Sequence, residues 1–218
     1  MNDIITLCIL LKEDKHKCSH MMRVFKKHPY IKFFPAIYWK TNMKKAINLY
    51  LNLGLNLHKK NMILGSFCIW MSNIKLWLTC LKNYPNKKYF IVLEDDVILP
   101  SNFIKLIKKY YINTGIINKA GAVMLCPGKK MNCIGTMYTR QQIENILNHI
   151  QKYPITGPLD VFLIEHYDFI KRYPMIPNLV YYNKNIKSQR HLSYEYVKKE
   201  NLLKLINNEK KKKNNYKI

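Results

Sequence analysis

Residues 89–100 read YFIVLEDDVILP. The first five, Tyr89 to Leu93, are apolar or aromatic without interruption. That pattern suits a strand covered on both faces, as strands of parallel sheets are. The run then meets three acids, Glu94, Asp95 and Asp96, before apolar character resumes at Val97, Ile98 and Leu99. A buried carboxylate is costly unless it is paired or bound to a cation, and adjacent carboxylates repel one another. A chain with 37 Lys+Arg and 13 Asp+Glu therefore places three of its few acids where each needs a positive partner.

The surrounding pattern alternates strands and helices. Strands are expected at Ile4 to Leu11, Ile31 to Ile37, Tyr89 to Leu93, Gly121 to Cys126 and Cys133 to Tyr138. Helices are expected near Ser19 to Lys27, over 42–57, over Gly65 to Leu81, over Asn102 to Tyr111 with Ser101 as its cap, and from Arg140. In the Gly65–Leu81 helix, Phe67, Trp70, Met71, Ile74, Trp77, Leu78 and Leu81 recur at three-four spacing, so Trp70 and Trp77 are read as core. Thr139 and Gln142 have the spacing of a capping box. A further helical element is expected over Asp160 to Tyr167, then an irregular stretch with one strand over 173–190, and a last helix over Tyr194 to Ile206. The alternation predicts an α/β fold with a mainly parallel central sheet flanked by helices. Ligands of such sheets collect beyond the carboxyl ends of the strands, where the three acids fall. Residues 1–207 are read as one domain and 208–218 as a basic, disordered tail.

At 218 residues the chain is long enough to bury a core, and 48% hydrophobic residues are normal for a globular protein, so disorder is not the default reading. The formal charge of +24 favours an anionic partner such as a nucleotide, a polyanion or an anionic membrane face. Asn, Ile and Tyr are abundant alongside Lys, a mixture that base composition alone also produces. The six cysteines lack the spacing of a disulfide framework or zinc ribbon. No signal segment or membrane span is expected, so the reading is a cytoplasmic protein with room for peripheral contact with an anionic membrane.

The residues admit two readings of the acids: a divalent metal site for a nucleotide diphosphate, or a solvated turn with a helix cap and a lysine partner. The order of motifs resembles glycosyltransferase family 25, which includes lipooligosaccharide galactosyltransferases and collagen hydroxylysine galactosyltransferases. Gly65, Ser72, Lys75, Leu76 and Trp77 match the family's helix, and Leu93-Glu94-Asp95-Asp96-Val97 its strand end. CILLKEDKHKCSHM looks like the opening strand and loop, FFPAIYW the second strand, Gly135 to Tyr138 the glycine-x-x-tyrosine segment, and Pro158-Leu159-Asp160 the later proline-x-aspartate. The departures are Lys17 for a usual arginine, Cys68-Ile69 for Gly-Cys, Asn73 for histidine, and Tyr38 or Trp39 where aspartate is common.

The resemblance implies a GT-A type nucleotide-sugar fold. It implies a metal-dependent, inverting enzyme that moves a hexose from a UDP-sugar to a hydroxyl on a glycan, a lipid-linked glycan or hydroxylysine, with Mn2+ or Mg2+ as cofactor. Asp96, Asp95 and His191 are the expected metal ligands. Asp95, Lys17, Ser72 and Asn73 are expected toward the donor, and Asp160 as the base that takes the acceptor's proton. Ser72 and Asn73 are expected on a polar helix face, and His20, His28 and His58 without converging partners. Two competing readings are an inactive relative retained as a binding module and a polyanion-binding protein. No nucleic-acid motif supports the latter.

Overall fold

The structure is a computed structural model that describes residues 3–57, 62, 64–126, 134–166, 179–183, 185 and 200–215. Its strands are β1 (Ile4–Leu10), β2 (Ile31–Pro35), β3 (Tyr89–Leu93), β4 (Val97–Ile98), β5 (Ala122–Met124), β6 (Gly135–Thr139) and β7 (Tyr181–Tyr182). Its helices are α1 (Lys15–Lys27), α2 (Trp39–Asn52), α3 (Leu64–Asn83), α4 (Phe103–Ile107), α5 (Ile116–Ala120), α6 (Arg140–Lys152), α7 (Leu159–His166) and α8 (Glu200–Asn215).

Five strands form one sheet in the order β2-β1-β3-β6-β5. β1 pairs in parallel with β2 and β3, while β6 runs antiparallel between β3 and β5. Four of the five strands thus point one way, and the expected mainly parallel α/β sheet is present. β4 and β7 make a separate antiparallel pair.

The sheet is covered on both faces because its central strands are apolar on both faces. Ile5 and Leu7 of β1, with Phe90 and Val92 of β3, join a core built with α2, α3, α6, α7 and α8. Cys8 and Leu10, with Tyr89, Ile91 and Leu93, join the opposite core with α1, α4 and α5. All five positions of β3 are buried, which answers why its sequence does not alternate. From β1 the chain moves outward to β2 through α1, then crosses back through α2 and α3 to β3. The crevice between the carboxyl ends of β1 and β3 is therefore the switch point of the sheet, the usual ligand position in open α/β folds.

Helix boundaries differ from expectation for local reasons. α1 begins four residues earlier than expected, at Lys15, because Asp14 caps it: its carboxylate accepts from the Lys17 N–H at 3.1 Å. α2 begins at Trp39 and ends at Asn52, where Gly54 with φ 63° turns the chain out of the helix. Asn102 rather than Ser101 caps α4, without a side-chain bond, and the next five residues, Lys108–Ile112, form a π-helical turn. Thr139 caps α6 by accepting from Gln142 N at 3.2 Å, but the reciprocal half of the box is absent. Gln142 Nε2 is instead buried without a hydrogen-bond partner. α8 runs past Ile206 to Asn215, since lysine and glutamate sustain a helix after its apolar periodicity stops. Leu202 and Ile206 of α8 are buried, and the helix packs on α2.

α3 is the described helix long and apolar enough, by length and composition, to cross a membrane. The sequence reading finds no such segment. Here α3 is a core helix: Trp70, Met71, Ile74 and Trp77 are fully buried against the sheet and its neighbours. Five cysteines among the described residues, Cys8, Cys18, Cys68, Cys80 and Cys126, are free thiols.

Candidate active site

The site forms where β1 and β3 end side by side. Cys8 pairs with Leu93, so the residues after Leu93 emerge beside Ile9 to Leu11. On the other side Gly135 pairs with Leu93, and Glu94 N donates to Ile134 O at 2.9 Å. The chain turns sharply at Asp95 and Asp96, both buried, and leaves through β4.

Lys17 closes this turn from the α1 side. Its ammonium forms an ion pair with Asp95 Oδ1 and lies 3.8 Å from Asp96 Oδ2. The other Asp95 oxygen accepts from Leu11 N at 3.3 Å. Lys17 sits in the first turn of α1, so the positive end of that helix also faces the acids. Burial alone would depress the lysine's affinity for its proton. The charges of Asp95 and Asp96 more than offset this, and its pKa lies above the ordinary 10.5. Lys17 is thus a charged, buried residue rather than a surface lysine.

Asp96 is in the opposite state. Its Oδ1 is buried and makes no hydrogen bond. Burial is the main force raising its pKa above the ordinary 3.8, with Lys17 pulling it back and Asp95 adding to the rise. A carboxyl whose folded-state pKa is raised binds its proton more tightly folded than unfolded. Its contribution to stability is therefore full below about pH 3.8 and is lost as pH rises through the raised value. Asp96→Asn removes that loss. In chelator, thermal melts of Asp96→Asn should fall less than wild type as pH rises above about 4. Parallel pH profiles for the two proteins would contradict the assignment.

Two residues that sequence reasoning passed over brace the turn. His20, one helical turn after Lys17, donates from Nε2 to Val97 O at 2.7 Å. Its Nδ1 lies 3.4 Å from Asn183 Nδ2. Asn183 N in turn donates to Asp96 O at 2.8 Å. His20 therefore has the converging partners the sequence did not disclose. The segment 179–183 lies directly on the end of the sheet, with Leu179 and Val180 both donating to Leu125 O at 3.1 and 3.0 Å. A Cβ on Gly135 would stand 2.8 Å from Val180 Cγ2 and 3.2 Å from Val180 Cβ, so a glycine is needed there. The lysine–histidine spacing on α1 was the available signal. The Asn183 contact had none, being 163 residues away in sequence.

The remaining expected site residues fall on other elements. A five-residue strand spans about 17 Å, a length an α-helix covers in about 11 residues. Ser72 and Asn73 lie about 11 residues before the end of α3 at Asn83, the helical length that matches such a strand. Consistently, Ser72 Oγ accepts from Ile37 N at 2.8 Å, just beyond β2, and donates to Cys68 O at 2.7 Å. Asn73 donates to Ile69 O at 3.0 Å. Both are buried, not a solvated polar face, and the loop after β2 meets Ser72. Asp160 lies in the first turn of α7, half-buried, with Oδ1 lacking a hydrogen-bond partner. The loop before it is tied to α3 by Trp70 Nε1, which donates to Gly157 O at 2.9 Å. The structure brings Lys17, Asp95 and Asp96 into contact, while Ser72, Asn73 and Asp160 stand on α3 and α7. His191 and Ser188 lie outside the described residues.

The site suits a divalent cation in one respect and limits it in another. Asp96 Oδ1 is the kind of buried, unsatisfied oxygen that a cation completes. Lys17, however, already neutralises Asp95, and no group of three or more His, Cys, Asp or Glu converges among the described residues. A divalent ion at this turn would have Asp96 as its protein ligand and would supply positive charge to the unsatisfied oxygen.

The sequence model of glycosyltransferase family 25 (LPS biosynthesis protein) matches residues 4–217, and the chain belongs to that family. A search of curated proteins found no match. Among solved structures, the chain is similar to a glycosyltransferase involved in the glycosylation of the major capsid of PBCV-1. The two are 12% identical, the likeness covers 81% of this chain and 79% of that one, and the TM-score is 0.44. The family membership supports a role in glycosyl transfer.

Proposed function

We propose that this protein transfers a hexose from a UDP-sugar to a hydroxyl on a glycan, a lipid-linked glycan or a hydroxylysine, with Mn2+ or Mg2+ bound at Asp96. The observation that carries the reading is the orphaned, buried Asp96 Oδ1 at the switch point of the sheet. A divalent ion there supplies Lewis-acid stabilisation of a departing diphosphate. Asp95, held by Lys17 and Leu11 N, keeps the turn in the shape that presents Asp96. His20 and Asn183 fix the backbone on the far side of the turn.

Asp160 is the base in this proposal, supported by its unpartnered oxygen in the first turn of α7. In an inverting transfer the acceptor oxygen bonds to the anomeric carbon as the bond from that carbon to the diphosphate oxygen breaks. The electron pair leaves with UDP, and the hydroxyl proton passes to the Asp160 carboxylate. Ser72 and Asn73 stand on the donor side, at the carboxyl edge beyond β2.

Calorimetric titration of UDP with and without Mn2+ tests the donor site. Wild type should bind UDP in a Mn2+-dependent manner. Asp96→Ala, with an unchanged circular dichroism spectrum, should bind it at least about tenfold more weakly, roughly 1.4 kcal/mol. Equal binding by both folded proteins, or by neither, would remove Asp96 from the donor site.

A further inference from the structure

Lys17 stands between the two carboxylates that a divalent ion would approach. Its position is built in rather than adventitious. Asp14 caps α1 and binds the backbone of Lys17 itself at 3.1 Å, so the third residue of the helix is aimed at the turn. Lys17 is 7% exposed, and Asp95 and Asp96 are 8% and 4% exposed, so solvent screens their interaction little. With Lys17 present, the pair of carboxylates offers an arriving cation a net charge of one rather than two. The ammonium, 3.8 Å from Asp96 Oδ2, also repels any ion seated on that residue.

We propose that Lys17 is an internal counter-cation that competes with the divalent ion for Asp95 and Asp96, and so keeps the site's affinity for free metal low. This rests on the metal reading of Asp96 given above. Its consequence is an order of events. Metal alone binds weakly, and metal accompanied by the anionic nucleotide binds well, because the nucleotide's charge offsets the ammonium. Lys17 acts here as a positioning residue, through its contacts with Asp95 and Asp96.

The probe is Mn2+ alone, titrated by calorimetry into the full chain without nucleotide. The proteins are wild type, Lys17→Gln, Lys17→Arg and the double variant Lys17→Gln/Asp96→Asn. Lys17→Gln should bind Mn2+ roughly tenfold more tightly or better, since the competing charge is gone while much of the side-chain bulk remains. Lys17→Arg keeps the charge and should match wild type. The double variant should not bind. Equal or weaker binding by Lys17→Gln, still abolished by Asp96→Asn, would overturn the counter-cation role and leave the metal reading standing. Binding indifferent to Asp96→Asn, or absent from every protein, would overturn both. Should Lys17→Gln unfold without metal, Mn2+ should restore its circular dichroism and raise its melting temperature with concentration. A protein that stays unfolded whatever the Mn2+ concentration would count against the proposal.

Discussion

Replacing Lys17 with methionine should cost about 3–5 kcal/mol of folding stability, because it leaves a buried carboxylate without its counter-charge. The residue it strands is Asp95, whose Oδ1 is paired with the Lys17 ammonium and whose Oδ2 has only the Leu11 N–H at 3.3 Å. Methionine fills most of the space of the lysine stem, so lost packing contributes little beside the lost charge. The sign with pH follows from the lysine. Its pKa is raised above 10.5, so the ion pair's contribution is fully present below that value and is lost only as pH rises through the raised one. At neutral pH the whole effect should therefore be visible in urea denaturation. Adding Asp95→Asn to Lys17→Met should recover most of it, since an amide needs no counter-ion and its oxygen can still accept from Leu11 N. A double variant no more stable than Lys17→Met would show that the loss is packing rather than charge.

Trp70→Ala should be as damaging, by about 3–5 kcal/mol, for a different reason. Trp70 is fully buried. Its ring meets Phe162 of α7 edge to face at 5.0 Å and 78°, and its N–H binds Gly157 O at 2.9 Å. Truncation opens a cavity between α3 and α7 and frees the loop that leads into α7 and Asp160. For a protein of this size the melting temperature should fall by roughly 6–20 °C. Trp70→Phe keeps the ring contact and loses the donor, and should cost about 1–2 kcal/mol. On the proposed roles, Trp70→Phe should lower kcat while leaving UDP affinity near wild type, because it disturbs α7 and not the acidic turn. An equal loss of UDP affinity would place Trp70's influence on the donor side instead.

The elements of this fold were legible in the sequence because each carries its own pattern. β3 is an unbroken apolar run, and α3 repeats apolar residues at three-four spacing. Helix starts were less legible where a single capping side chain decides them, as Asp14 does for α1. The capping box at Thr139 and Gln142 was half right, because Gln142 turns inward toward Gly121, where an added Cβ would lie 2.7 Å from its Oε1.

The same division runs through the site. The sequence by itself placed the acids at the end of a buried strand and left open a metal site or a solvated turn with a lysine partner, since burying charge is costly unless it is paired. Only the tertiary structure could say that the partner is Lys17, 78 residues before Asp95, and that Asp96 keeps one oxygen unsatisfied. It alone brought His20 and Asn183 together at the turn. It also turned Ser72 and Asn73 from an expected polar helix face into buried residues, Ser72 bound to the loop after β2 and Asn73 to its own helix. Local pattern records which residues leave water. Which of them meet depends on strand order and on the crossing of the chain from β2 back to β3, and no local pattern carries that.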